Sequence, residues 1–427
     1  MRFCTSAPFS TIEAFLFFLP LRPAKARARA KGMETRRLSS ASLPLLSPEA
    51  HRVSGRGASI SPEEWQGWGS TSPVPAMVVE VIEDLKLLER NVDARMDFGG
   101  NHGKLQGDFK VHEDKKHRAK YKSLGDSESK LQFFSARQIA CRLLGSRDYL
   151  CQKCWLAKED CMCSRVIPYN SWHRIRFWLY MHPKVGSFVC CFSIDHKALN
   201  SVLSKNIDPS LQDFLRQNNT GKLLWQVFGV HAANLILFGI SENEDMLWDA
   251  LKLSGKDKVW CLYPNKNAAS KSVKDSFYHT FLADPMVDCQ PENANSYDVF
   301  NFILLDGTWS NSTAMFSRLK ERAKSLWGEE LPCISLNTGL SLMHRLRPQP
   351  SWDRTCTAAA ASGLLQELHL LPAFDSYELD KHADAIEDAL EVLLDVLTQR
   401  RLRMGRPVAR EGRHCSNIIP QAPDDSC

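Results

Sequence analysis

Four cysteines fall within thirteen residues: Cys151-Gln-Lys-Cys154, a six-residue gap, then Cys161-Met-Cys163. Four thiolates that close in the chain can surround one tetrahedral Zn²⁺, each pair delivered by a tight turn. Four sulfur ligands leave the ion no open position, so the expected site is structural rather than catalytic. A redox reading of Cys151-x-x-Cys154 would need a strand before it and a helix after it, and the second pair close by favours metal. Arg142, Arg147, Lys153 and Lys158 flank the cysteines, so RNA contact is one use such a module could have.

A second patch is Asp306-Gly307-Thr308-Trp309, directly after the apolar run Phe300–Leu305. In open α/β sheets ligands bind beyond the carboxyl ends of the strands, which puts Asp306 where chemistry occurs. Gly307 permits a tight turn, and Asn311, Ser312 and Thr313 are candidate caps for the next helix. Taken alone the patch reads rather as a turn and cap with a packed Trp. A third patch, Arg216-Gln-Asn-Asn-Thr-Gly-Lys222, precedes a helical run. Its amides and backbone donors could hold an anionic or amino-acid group, or form an ordinary loop. Arg345 and Arg347 stand two residues apart and could clamp a carboxylate or phosphate, or face solvent.

These groups need a scaffold, and the hydrophobic pattern supplies one. Residues 234–239, 259–263 and 300–305 read as buried strands, with 333–336 a weaker fourth. Helical patterns fall over 222–228, 246–253, 313–327 and 358–368. Strand and helix alternation predicts an α/β fold with a mainly parallel sheet and helices on both faces. Leu379, Ala383, Ile386, Leu390, Leu393 and Leu397 predict a long C-terminal helix docked on the core, followed by an Arg-rich tail. Val81, Leu85, Leu88 and Val92 predict an amphipathic helix over roughly 77–96, and the polar stretch from Gly99 to Lys130 reads as a linker.

The chain has 427 residues, a formal net charge of +5, 44% hydrophobic and 24% charged residues. That composition excludes a disordered polymer and a membrane-spanning bundle, and the mild positive charge is compatible with nucleic acid without requiring it. Fourteen cysteines spread over this length suit a reducing compartment. The expected organisation is a leader at 1–47, acid-poor and Arg/Ser-rich, read as a transit peptide or a disordered extension. An N-terminal extension follows at 48–130, a zinc module at 131–170, a core at 171–376, a C-terminal helix at 377–405 and a basic tail at 406–427. The expected compartment is cytoplasm or nucleus, with chloroplast the alternative if the leader is a transit peptide.

Together the motifs resemble the DTW-domain family, in particular its plant tRNA-uridine aminocarboxypropyltransferases. The resemblance is carried by Cys151-x2-Cys154 with Cys161-x-Cys163, Met181-His-Pro-Lys184, Asn219-Thr220-Gly221, Leu305-Asp-Gly-Thr-Trp309 and Leu346-Arg347, in that order, over roughly 145–405. It implies a fold related to the knotted SPOUT methyltransferases, S-adenosylmethionine (SAM) as donor, structural zinc, and tRNA as partner with no membrane. The implied reaction moves the 3-amino-3-carboxypropyl group of SAM to N3 of a uridine, giving acp³U and methylthioadenosine. By this resemblance Asp306 is the base for N3 or the partner of the SAM ammonium. Thr308 fixes a ligand oxygen or Asp306, and Trp309 stacks on a base or packs the turn. Asn219, Thr220, Gly221 and Arg347 orient the donor carboxylate or an RNA phosphate.

Two departures qualify the resemblance. Where the family tends to carry Thr-x-Glu-Ala, this chain reads Thr357-Ala-Ala-Ala360, so Ala359 stands in the Glu position. Between Lys184 and Asp213 lie 28 further residues, Val185–Gln212, where plant relatives run almost directly on. Valine codons begin GT and a glutamine codon can be CAG, so the segment is expected to be a retained intron or a genuine surface loop. The rivals to the transferase reading are a catalytically silent zinc-containing RNA-binding protein and an rRNA-directed transferase of the same chemistry; a redox role for the cysteines comes last.

Overall fold

A computed structural model describes residues 60–98, 105–169, 174–183, 214–263, 272–282, 299–336, 341–346, 355–406 and 408. The leader, the segment Val185–Gln212, Arg347 and the tail beyond 408 lie outside the described residues.

Five strands make the sheet: β1 (Ile175–Met181), β2 (Ala233–Leu237), β3 (Val259–Leu262), β4 (Phe300–Asp306) and β5 (Cys333–Ile334). All pairings are parallel, in the order β2-β1-β4-β3-β5. Alternation along each strand divides the core. Phe177, Leu179, Phe302 and Leu304 face one side, while Trp178, Tyr180, Ile236 and Ile303 face the other. The second side is covered by α6 (Ser241–Ser254) and α8 (Trp309–Trp327) through Leu247, Trp248, Leu251, Met315 and Leu319. The first is covered by α5 (Lys222–Phe228), α7 (Val273–Leu282), α9 (Thr357–His369) and α10 (Leu379–Arg403). A parallel sheet buried on both faces is what continuous apolar strands require, and the α/β expectation with helices on both faces holds.

Strand β1, interior to the sheet between β2 and β4, is not among the strands the hydrophobic pattern predicts. Its run Ile-Arg-Phe-Trp-Leu-Tyr-Met is aromatic and continuous, which is the signature of a fully buried parallel strand, and all but Arg176 are buried. The expected linker is also corrected. Within it lie α3 (Gly107–Ser123) and the start of α4 (Ser127–Leu144), which pack with α2 (Ala76–Asn91). Helix α3 has almost no apolar face beyond Phe109. Ion pairs on two sides hold it: Lys116 and Lys120 reach Asp84 and Glu80 of α2, while Glu113 and Asp114 take Arg137 of α4. A helix fastened by charge carries little hydrophobic periodicity and so reads as polar chain. The side chain of Asp126 accepts from Ser129 N–H at 2.7 Å and starts α4.

The C-terminal Arg cluster is not simply solvated. Arg400 and Arg403 both reach the buried carboxylate of Asp160 beside the cysteines, and Arg401 donates to the carbonyls of Leu346 and Val408. Among the described residues no helix is long and apolar enough to cross a membrane.

One buried ionic group ties the sheet to its outer helices. Glu244 of α6 accepts from Tyr180 Oη (2.6 Å), Gly239 N–H (2.9 Å) and the guanidinium of Arg318 (2.7 and 2.8 Å), and Arg318 also grips Glu128 of α4. Breaking such a group leaves an uncompensated charge. Glu244→Ala should lower the unfolding free energy by about 3–5 kcal/mol. By contrast, Arg322→Ala, which removes an exposed pair with Asp245, should cost less than ~1 kcal/mol. Urea unfolding of the two variants beside the parent protein measures both.

Candidate functional site

Chain connection fixes where a ligand can enter. From β1 the chain passes through α5 to β2 on one side, across the Phe177 face. From β4 it passes through α8 to β5 on the other side, across the Trp178 face. Strands β1 and β4 are neighbours, so their onward connections diverge in both direction and face. That divergence opens the crevice at which doubly wound sheets bind ligands, outside the carboxyl ends of the strands.

Asp306 is the last residue of β4, paired with Met181, the last of β1. Its backbone carbonyl accepts from His182 N–H at 3.1 Å. Its side chain is buried and accepts from Asn219 Nδ2 at 2.8 Å. The other end of that amide caps α5, since Asn219 Oδ1 accepts from Lys222 N–H at 3.1 Å. Between them stands Gly221, where a Cβ would meet Asp306 Oδ2 at 2.2 Å and Leu179 Cδ2 at 3.1 Å. Only a residue without a side chain lets the start of α5 come this close to the carboxylate. Thr220 is buried, and its hydroxyl accepts from Ala358 N–H in the first turn of α9 at 3.4 Å. The Asn-Thr-Gly loop and the Asp306 carboxylate are thus one constellation, with the start of α9 as a third wall.

Other expected members stand as follows. Thr308, half-buried, is the cap residue of α8, and the helix begins at Trp309 rather than at Thr313. Asn311 and Ser312 are therefore buried inside the first turn instead of capping it; Ser312 Oγ donates to the Thr308 carbonyl at 3.0 Å. The backbone of Trp309 is part of α8, but its side chain lies outside the described residues, as does all of Arg347. Its neighbour Leu346 is buried and its carbonyl is held by Arg401. Ala359 sits half-buried in the first turn of α9. The ring of His182 stacks on Phe238 at 4.9 Å.

The four cysteines converge as their spacing predicts. Their sulfurs all lie within 4.8 Å of one another, with Cys151–Cys161 at 3.6 Å, Cys151–Cys163 at 3.7 Å and Cys154–Cys161 at 3.9 Å. A tetrahedron with Zn–S bonds of about 2.3 Å has edges of about 3.8 Å, so the donor set fits zinc. Hydrogen bonds from Cys154 and Cys163 hold the Cys151 thiol below its ordinary range and push those two partners up, Cys154 chiefly through Cys151. The positive φ of Trp155 (56°) belongs to the turn that follows the first pair, and its ring packs on Phe214 and Trp225. Lys222, which closes the amide-rich patch, is wholly buried in α5 with Nζ donating to the Gln217 carbonyl at 2.6 Å. Burial pulls its pKa down to about 7 against the opposing pull of the Cys154, Cys163 and Cys151 sulfurs. The clue to that burial is a lysine opening an otherwise apolar helix.

Purified protein is expected to carry about one zinc per chain, and Cys154→Ser to lose it, as read by elemental analysis. Because each thiol sheds its proton to bind, zinc affinity should weaken as pH falls, a trend that chelator competition at several pH values measures.

A search of curated proteins and of solved structures returned no match to this chain. The DTW domain matches residues 148–402, from just before the first cysteine of the cluster to the last turn of α10. That span contains the cysteine cluster, the crevice and most of the chain, and the protein belongs to the DTW-domain family.

Proposed function

We propose that this protein is a SAM-dependent tRNA-uridine aminocarboxypropyltransferase. The observation that carries the proposal is the direct hydrogen bond between Asp306 and Asn219 at the switch point, inside the region that matches the DTW domain. The family's association with tRNA modification supplies the substrate class, and a mildly basic chain is compatible with it. In the same reading the sheet is the core of a SPOUT-like, knotted fold, and zinc is structural.

The chemistry is a substitution at carbon. The N3 lone pair of the uracil attacks the donor carbon beside the sulfonium, the C–S bond breaks, and its electrons leave with methylthioadenosine. The N3 proton must go to a base. Asp306 takes it, held in place by the Asn219 amide and by the close approach of Gly221. Thr308, at the head of α8, orients Asp306 or a ligand oxygen, and Trp309 offers a stacking surface. Asn219, Thr220 and Arg347 orient the donor's amino-acid end. A base extruded from the tRNA reaches this depth more readily than a paired one. A second role for Asp306, pairing with the donor ammonium, is separated by kinetics. Loss of a base lowers kcat at constant KM for SAM, whereas loss of an ammonium partner raises KM.

One residue favours a different reading: Ala359 occupies a position where the family tends to have Glu, as a catalytically silent RNA-binding protein would allow. The decisive measurement is mass spectrometry of nucleosides from tRNA and from rRNA incubated with SAM and the protein. The expected result is acp³U in tRNA with stoichiometric methylthioadenosine. Product in rRNA alone would redirect the substrate, and RNA binding without methylthioadenosine would establish the silent protein. Asp306→Ala should abolish transfer while folding and zinc content persist. Gly221→Ala, whose new methyl displaces the carboxylate, should reduce kcat/KM by about 10²-fold, the scale of a 1 Å misplacement.

A further inference from the structure

One arginine outside the DTW match reaches the segment that leads into the Asn-Thr-Gly loop. Arg142, in the last turn of α4, stands before residue 148, where the match begins. Its side chain is carried into the core, which is rare for arginine unless its donors are engaged. Nη2 donates to the carbonyl of Leu215 at 2.7 Å, and Nη1 reaches the Tyr149 hydroxyl at 3.4 Å. A charged donor makes a shorter and stronger bond than a neutral one.

The carbonyl it holds belongs to a strained residue. Leu215 is fully buried with φ at 57°, the left-handed region that a leucine keeps only where its surroundings fix it. Phe214 beside it meets the ring of Trp155 edge-on at 5.7 Å. The next two carbonyls are held as well. That of Arg216 accepts from Asn219 N–H at 3.1 Å, which closes a four-residue turn, and that of Gln217 accepts from Lys222 Nζ at 2.6 Å. Three successive carbonyls are thus gripped by a guanidinium, a backbone N–H and an ammonium. The turn ends on Asn219, whose amide holds Asp306 and caps α5. Of the three grips only that of Arg142 ties the turn to a remote part of the chain, 73 residues away in sequence.

We propose that Arg142 is a positioning residue for the donor site: by holding the Leu215 carbonyl it fixes the left-handed step into the 216–219 turn, and so the place of Asn219 against Asp306. The helical layer that precedes the DTW match thereby contributes to donor binding without touching the donor. The tie to Leu215 stands on this chain's contacts alone; the effect on donor binding rests on the transferase reading.

The test uses the full-length, zinc-loaded chain, Arg142→Met, which keeps the aliphatic bulk and removes the fork, and Arg137→Met as the control. Arg137 lies on the same helix and its side chain is largely buried, but its partners are Glu113 and Asp114 of α3. Amide hydrogen exchange by mass spectrometry and SAM affinity by calorimetry are measured for each. Arg142→Met should speed exchange over 214–222 about tenfold or more, the scale of losing one hydrogen bond from a charged group. It should also weaken SAM binding at least about fivefold, the lower end of ordinary coupling between sites, with circular dichroism and zinc content at parental levels. Arg137→Met should speed exchange in α3 and leave both 214–222 and SAM affinity parental. Parental exchange over 214–222 in Arg142→Met overturns the tie, and faster exchange there with parental SAM affinity overturns the positioning role. An equal loss of SAM affinity in Arg137→Met overturns it too, by tracing the loss to general destabilisation. If Arg142→Met does not fold, the parent protein in rising urea decides. Residues 214–222 should then lose protection together with the last turn of α4, and protection there that outlasts that turn overturns the tie. If the parent itself binds no SAM, the transferase reading fails and the exchange comparison alone judges Arg142.

Discussion

A carboxylate buried where the connections from two paired strands diverge is costly unless its oxygens are met by donors, and the contact of Asp306 with Asn219 meets that cost in this fold. Much follows from it. The amide can serve Asp306 only because its other end caps α5, and α5 can start there only because residue 221 has no side chain. Met181 and Asp306 end their strands in register, which places the turn after β4 beside the turn after β1. Removing any of these would separate the crossover loop from the strand end and leave the carboxylate without its donor.

The same economy of polar groups organises the far face. Glu244 would be untenable beneath α8 without Arg318, Tyr180 and the Gly239 amide, and Arg318 also pairs with Glu128. These residues come from α6, α8, β1, the turn after β2 and α4, so the network fixes five pieces of chain with a handful of bonds. Its cost in desolvation is offset by completeness, because every oxygen of Glu244 has a partner. Tyr180 and Arg318 of the same network also pack on Phe238, on which His182 stacks.

Sequence pattern revealed what depends on local order and missed what depends on pairing at a distance. The strand at 300–306, the helix opening at Lys222, the long C-terminal helix and the four-cysteine cluster were all legible, because apolar period and ligand spacing are local properties. That Asp306 and Asn219 meet, 87 residues apart in sequence, was legible only through resemblance to a family, since no periodicity encodes it. Strand β1 escapes the pattern because a continuous aromatic run lacks alternation. Helix α3 carries no apolar stripe because its support comes from charges on α2 and α4. Asp160 and Arg403 were invisible as a pair for the same reason, being 243 residues apart. The cap of α8 was misplaced by several residues, as element ends commonly are when several hydroxyl and amide side chains compete for the position.

The family boundary near residue 148 is not a folding boundary. Trp65 and Trp68 are buried, and Gly69, at φ 102°, lies against the ring of Trp225, which in turn packs on Trp155 beside the cysteines. Thr71 Oγ1 donates to Asn234 of β2, Ser72 accepts from Asn243 of α6, and Glu64 holds Arg147. The described residues from Ile60 onward accordingly form one compact unit. A helical layer that touched only the surface could be added or lost without consequence. One that covers the Trp155–Trp225 contact shields the same corner that holds the cysteine cluster and the buried Lys222 from water. The N-terminal helices are therefore part of what keeps water from the aromatic packing beside the four cysteines.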